Sequence, residues 1–269
     1  MSSNKTRQMS VNGSFYPAET SELERYFQHF ESFLKEQNIS LSYENIKALI
    51  VPHAGYIYSG YSAYIAYKAL LNSNIKNLLI LAPSHRVYLD GMSLCKDLHY
   101  QTPFGQISTA QELLKKLEQK FDLNQSIIHA EHSSEVQFPM IKYLLPHVNI
   151  VEIIYGNITP NELSLVIDEA LLQKDTGVII STDLSHFHNL EKANTLDNIC
   201  VEAIKNLDMS SLHNGCEACG ILGVEAMMIS AKKHTLKPHI LDYRTSADAS
   251  GDSSRVVGYM SACFSQENS

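Results

Sequence analysis

At 269 residues and 30.2 kDa, with 44% hydrophobic and 19% charged residues, the chain can bury a full core, and a single domain over residues 1–269 is the expectation. The formal charge of −8, from 21 Lys+Arg against 29 Asp+Glu, leaves no broad cationic face for nucleic acid or anionic lipid. Met1 to Ser10 is polar, without the apolar stretch of a signal peptide, and no run of about eighteen apolar residues occurs, so a cytoplasmic protein with no membrane span is expected.

In chain order, residues 1–10 read as a flexible tail. Leu23, Tyr26, Phe27, Phe30, Phe33 and Leu34 then recur at three and four, which predicts an amphipathic helix with Thr20 or Ser21 as N-cap. Lys47 to Val51 is short and apolar and stops at Pro52, as a strand buried on both faces would. His53 follows in the Pro/Gly-rich turn Val51-Pro52-His53-Ala54-Gly55, and a helix is predicted from Tyr61 to Leu71. The pattern repeats in Asn77 to Ala82, a second buried strand ending in Pro83-Ser84-His85.

Residues 94–109 suggest a hairpin about Thr102-Pro103-Phe104-Gly105. Helical spacing returns at Ala110 to Leu117 and at Val136 to Leu145, the latter after the charged turn Glu131-His132-Ser133-Ser134-Glu135. A strand from Asn149 to Ile154 and a helix opened by Thr159-Pro160 come next. Gly177 to Ser181 is another buried strand, running into Thr182-Asp183-Leu184-Ser185-His186. Helices over about 192–206 and 221–233 flank Cys216-Glu217-Ala218-Cys219-Gly220, and β runs at His239 to Tyr243 and Arg255 to Phe264 close the chain.

Strands alternating with helices predict an α/β fold, a mostly parallel sheet with helices on both faces. Ligands of such sheets sit beyond the carboxyl ends of the strands. His53, His85, Asp183 and His186 each follow a predicted strand, so this topology brings them to one edge. Two neutral imidazoles and one anionic ligand make a set that leaves positions open on a divalent metal. Cys219 is one anionic candidate, because it precedes an apolar helix whose dipole would lower a thiol pKa. Asp183 is another, and with His186 it could equally orient a ligand or act as acid and base. The residues alone leave that choice open.

Plainer readings stand beside these. The Gly and Pro around His53 are turn formers, and His132 is balanced between capping a helix and lining the site, with Glu131 and Glu135 serving that helix's N-terminus. His188, His213, His234 and His239 lack a supporting pattern and read as structural or solvated. Five cysteines (Cys95, Cys200, Cys216, Cys219, Cys263) fit reduced thiols better than a disulfide framework. Cys216-x-x-Cys219 has no second pair with which to build a zinc site.

Six motifs occur in order: Pro-His-Ala-Gly-Tyr (52–56), Pro-Ser-His (83–85), Glu-His-Ser-x-Glu-Val-Gln (131–137), Ser-x-Asp-x-x-His (181–186), Cys-Gly (219–220) and Val-Gly-Tyr (257–259). With Gly-Ser-Phe-Tyr-Pro at 13–17, the chain resembles the Memo family, called AmmeMemoRadiSam system protein B in bacteria and archaea, over nearly its whole length. The resemblance implies a three-layer α/β/α sandwich with a mostly parallel central sheet, similar to class III extradiol dioxygenases, which are non-haem iron enzymes. It implies His53, His85 and Cys219 as metal ligands and His186 as the catalytic histidine with Asp183 beside it; on the reading in which it lines the site, His132 joins these two as a catalytic candidate.

The dioxygenases' third ligand is a carboxylate. A cysteine there is softer and suits copper or zinc as well as iron. The expectation is therefore a dioxygenase-type oxidoreductase with a divalent metal, foremost iron, acting on an unidentified small molecule. A non-enzymatic metal-binding or interaction module and a hydrolase using Cys219 as nucleophile are the alternatives. The family name further implies an AMMECR1-type protein and a radical SAM enzyme as partners.

Overall fold

The computed structural model describes residues 5–123 and 127–266. The chain enters through the two-residue strand β1 (Thr6–Arg7) and reaches helix α1 (Thr20–Glu36), whose buried Leu23, Phe27, Phe30 and Leu34 form one face. Glu19 is the N-cap residue of α1, and the Thr20 hydroxyl donates to the Pro103 carbonyl instead of capping. Strand β2 (Ile46–Val51) passes through Pro52-His53-Ala54-Gly55 into α2 (Tyr56–Ala69), which begins earlier than the expected Tyr61. Gly60 lies inside α2. A Cβ there would meet the Phe30 ring at 2.9 Å, so the glycine serves close packing of α1 on α2.

Strand β3 (Asn77–Pro83) is followed by β4 (Met92–Leu94) and by the hairpin of β5 (His99–Thr102) and β6 (Gly105–Ser108). Next come α3 (Gln111–Lys120), α4 (His132–Glu135) and α5 (Phe138–Leu144), so the expected charged turn is itself a turn of helix. Strand β7 (Asn149–Tyr155) leads to α6 (Pro160–Leu171), which Thr159 and Glu162 open with a reciprocal capping box. The remainder is β8 (Thr176–Ser181), β9 (His186–His188), α7 (Leu190–Asn206), α8 (Met209–Leu212), α9 (Ile221–Lys233), β10 (Leu236–Thr245), α10 (Ala247–Ser250) and β11 (Val256–Gln266).

The main sheet runs β10-β11-β2-β8-β3-β7-β4, with β9 added on β11. Its centre, β2-β8-β3-β7, is parallel, and antiparallel strands at both edges make the whole sheet mixed. Alternate residues of each central strand face opposite sides. Ala48, Ile50, Leu79 and Leu81 pack with residues of α3, α6, α7 and α9, whereas Leu49, Val51, Leu78 and Ile80 pack with residues of α1, α2 and α5. Helices therefore cover both faces, as a three-layer α/β/α sandwich. Among the described residues, no helix is long and apolar enough to cross a membrane.

Two expectations are corrected. Residues 5–10 are not a flexible tail, although residues 1–4 of that tail lie outside the described residues: β1 pairs in parallel with β5, Thr6 opposite His99 and Arg7 opposite Tyr100. Arg7 is 2% exposed and pairs with Glu135, with its guanidinium also 3.7 Å from Glu152. Two buried carboxylates require a cation, and this segment supplies it. The second correction concerns the cysteines. Cys200 of α7 and Cys216 form a disulfide, leaving Cys95, Cys219 and Cys263 free, so Cys216 makes no pair with Cys219.

Candidate metal centre

His53, His85 and Asp183 come from the carboxyl ends of β2, β3 and β8, three strands that are neighbours in the order β2-β8-β3. β8 lies between the two histidine-bearing strands, so His53 and His85 must reach toward each other across its end. Their Nε2 atoms are 3.3 Å apart, and Cys219 Sγ lies 3.3 Å from His53 Nε2. The ligand atoms of His53, His85 and Cys219 all fall within 4.8 Å of one another. Two ligands on one tetrahedral metal, at bond lengths of about 2.0–2.3 Å, stand about 3.3–3.6 Å apart, so the separations suit a shared ion.

The hydrogen bonds at the end of β8 determine the tautomer of His53. Ser181 has a single hydroxyl proton, and it goes to the Ser133 carbonyl. Its oxygen can therefore only accept from Gln137 Nε2 and from His53 Nδ1, each 3.0 Å away. Gln137 is itself oriented by donating to the Pro52 carbonyl at 2.9 Å and by accepting from the Tyr67 hydroxyl at 3.0 Å. His53 thus carries its proton on Nδ1 and turns a bare Nε2 lone pair toward His85 and Cys219, as a metal ligand must.

His85 is held through its main chain. Glu131 accepts from the backbone N–H groups of His85 at 3.0 Å and Arg86 at 2.7 Å. Its side chain makes no cap for α4, contrary to the expected role, and Glu135 is likewise engaged with the N-terminal segment. His132 of α4 stacks on His85 at 5.2 Å between ring centres and stands edge-on to His53 at 5.5 Å, with Phe15 on its other flank at 4.7 Å.

Burial pushes His53 well below the ordinary imidazole pKa, with His85 and His186 adding repulsion. His85 is lowered by burial against the pull of Glu131 and Asp183. His132 is lowered to about 3 by burial and by its two histidine neighbours. At neutral pH all three rings are uncharged, the state that binds metal.

Cys219 is brought in by Gly220, whose Cα sits so close to β8 that a Cβ would lie 2.8 Å from Thr182 Cβ. The Asp183 N–H donates to Cys219 Sγ at 3.3 Å, and the Cys219 N–H donates to the Asp183 carbonyl at 3.1 Å. The expected lowering of this thiol's pKa by α9 does not prevail. Burial and then Asp183 push Cys219 up to about 12, outweighing the nearby N–H groups. The free side chain is a thiol, and a bound cation would have to displace its proton.

Asp183 stands apart from the three-ligand group. Its Oδ1 accepts the His53 backbone N–H at 2.7 Å, and its Oδ2 lies 3.9 Å from His53 Nε2. Burial pushes its pKa up to about 6, with the His53 N–H and His186 opposing. His186 is half-buried on β9, opposite Val257, near enough to influence His53, His85 and Asp183 electrostatically. Phe187 beside it adopts φ 64, which is rare for a bulky residue, and Arg255 packs 4.6 Å over its ring.

The histidines read as structural do have partners elsewhere: His188 with Glu217, His213 with Glu225, His234 with Asp168 and His239 with Ser265. Sequence reasoning passed over Ser181, Gln137 and the carboxylate of Glu131 as positioning groups. All three lie within the six ordered motifs, which was the available signal. It also passed over a second cluster, Cys95, His129 and Glu152.

A family model described as Memo-like protein matches residues 7–263. A MEMO1 family protein of Sulfurisphaera tokodaii is 34% identical over 95% of this chain and 98% of its own length. One from Metallosphaera sedula is 31% identical over 96% and 99%, and one from Methanothermobacter thermautotrophicus is 31% identical over 94% and 98%. Among solved structures, an uncharacterized protein, JW3007 from Escherichia coli K12, covers 81% of this chain and 99% of its own at TM-score 0.53 and 10% identity, a likeness of fold. The match over residues 7–263 spans all six motifs, from the His53 turn to Val-Gly-Tyr at 257–259 in β11, and the chain belongs to the Memo-like protein family.

Proposed function

We propose that this chain is a metal-dependent oxidoreductase of dioxygenase type, with iron held by His53, His85 and Cys219. The observation that carries the reading is the convergence of two neutral imidazoles and one thiol, all within 4.8 Å, at the carboxyl edge of the sheet. The donor set fits: His53 presents an unprotonated Nε2, and the ligands grade from buried His53 through half-buried Cys219 to exposed His85, which leaves one side open to a small molecule. Iron in such a set supplies Lewis acidity and one-electron redox chemistry.

The chain's own residues supply the rest. Asp183 holds the His53 turn through its backbone N–H, and His132 walls the site as a neutral ring against His85. His186, half-buried and close enough to Asp183 to act on it electrostatically, takes or returns a proton at a ring nitrogen in this reading. A nucleophilic role for Cys219 is less well supported, because its thiol is pushed up to about 12 and its contact with His53 is to the same Nε2 that faces His85.

Protein purified anaerobically and reconstituted with ferrous iron is expected to bind about one iron per chain at this site, with binding lost in Cys219→Ser and His85→Ala. Elemental analysis that finds no iron bound, or the same iron in all three proteins, overturns the proposal.

A further inference from the structure

The most buried acidic side chain of the central sheet is not part of the site above. Glu152 of β7 is 0% exposed, flanked in its strand by the aliphatic Ile150, Val151, Ile153 and Ile154. One of its oxygens, Oε1, accepts from the Ser134 hydroxyl and lies 3.7 Å from the Arg7 guanidinium. The other, Oε2, is buried with no hydrogen-bond partner. It faces His129 Nδ1 at 3.2 Å, a buried nitrogen whose polar neighbour among the described residues is Glu152. His129 Nε2 lies 3.0 Å from Ser93 Oγ, a contact that turns Nδ1 toward Glu152.

The third member follows from register. Leu94 of β4 pairs with Ile153, so Cys95 falls beside Glu152, and its N–H donates to the Glu152 carbonyl at 3.0 Å. Cys95 Sγ, His129 Nδ1 or Nε2 and a Glu152 oxygen all lie within 4.8 Å of one another. A buried carboxylate oxygen and a buried imidazole nitrogen at 3.2 Å have the spacing of two ligands on one ion, about 3.3 Å for bonds of about 2.0 Å. A cavity of about 610 Å³, lined by Cys95, His129, Arg7 and Lys5, adjoins the cluster and gives an ion and a water a way in.

We infer that Cys95, His129 and Glu152 form a second metal site, structural in role, that takes Zn²⁺. A thiolate beside an imidazole and one carboxylate disfavours Ca²⁺ and Mg²⁺, which prefer oxygen ligands throughout. On binding, the Cys95 S–H bond breaks and its proton leaves to solvent, while Zn–S, Zn–N and Zn–O bonds form with no change of oxidation state. Burial pushes the Cys95 thiol up, so displacement of that proton depends on the ion. The ion would tie β4 and the segment bearing His129 to β7, and through Ser134 to α4, which carries His132 and follows Glu131. The site shares no ligand with the iron reading and stands or falls separately from it.

The test uses the full chain carrying His85→Ala and Cys219→Ser, so that the first site cannot answer for the second. This protein is expected to retain about one Zn²⁺ per chain. With Co²⁺ in place of Zn²⁺ it should show thiolate-to-metal charge-transfer absorption. Adding Cys95→Ser should abolish the absorption, and adding His129→Ala should weaken metal binding by at least about tenfold. Absence of charge-transfer absorption in the starting protein overturns the inference, as does Zn²⁺ binding that survives both added substitutions. Should the Cys95 variant not fold, undiminished cobalt affinity in the His129→Ala protein overturns it equally.

Discussion

At the scale of single residues, the geometry of the candidate metal centre turns on one hydroxyl proton. Ser181 spends it on the Ser133 carbonyl, and this forces His53 to donate from Nδ1 and leaves Nε2 bare. Ser181→Ala removes the group that holds the ring's tautomer and orientation. Metal affinity at His53, His85 and Cys219 is expected to fall about ten- to a hundredfold, the usual effect of losing a partner behind a ligand. Equilibrium titration of the folded variant with Fe²⁺ measures this, and unchanged affinity would show that Ser181 does not orient the ring. His53 and His85 could be picked out of the sequence because each follows a buried strand. Ser181 could not, since a serine at a strand end has many ordinary uses and its role depends on residues near 53, 133 and 137.

At the scale of elements, α4 is short but connects the buried Arg7, Glu135 and Glu152. Glu135 at its end accepts from the N–H groups of Ser10 and Val11 and from the Tyr16 hydroxyl, and pairs with Arg7. Burial pushes its pKa up, but Arg7 and these donors outweigh burial and hold it below the ordinary 4.5. A carboxyl depressed in the folded state binds fewer protons there than in the unfolded chain. Its stabilisation is therefore complete above about pH 4.5 and is lost as pH falls through the lower folded-state value. Thermal midpoints of the protein should decline with acid in that window, and Glu135→Gln should flatten the decline. An identical acid profile in the variant would remove Glu135 as its source. Helical periodicity exposed the apolar faces of α1 and α3 directly, whereas 131–135 read as a charged turn because its glutamates point to distant partners.

At the scale of the whole molecule, the N-terminal segment is part of the fold. Deleting residues 1–10 removes Arg7 and leaves Glu135 and Glu152 buried without their cation. Breaking a buried ion pair from one side costs about 3–5 kcal/mol, a large share of the stability of an ordinary domain. Chemical denaturation should show a markedly lower midpoint for the truncated chain. An unchanged midpoint would mean that these carboxylates find other compensation. The Cys200–Cys216 disulfide has the same long-range character, since it joins α7 to the segment leading toward Cys219 and α9.

The sequence by itself determined where the central strands lie, that they are buried on both faces, and that helices alternate with them, because these features follow from short-range apolar spacing. It also placed His53, His85 and Asp183 at strand ends. Only the tertiary structure decided that β8 separates the two histidine strands, that Gly220 lets Cys219 approach beside them, and that antiparallel strands close both edges of the sheet. The same holds for Arg7 between Glu135 and Glu152, and for Cys95, His129 and Glu152 meeting at one point. Strand order, ion pairs and ligand clusters join residues far apart in the chain, and no local period records which of them will pack together.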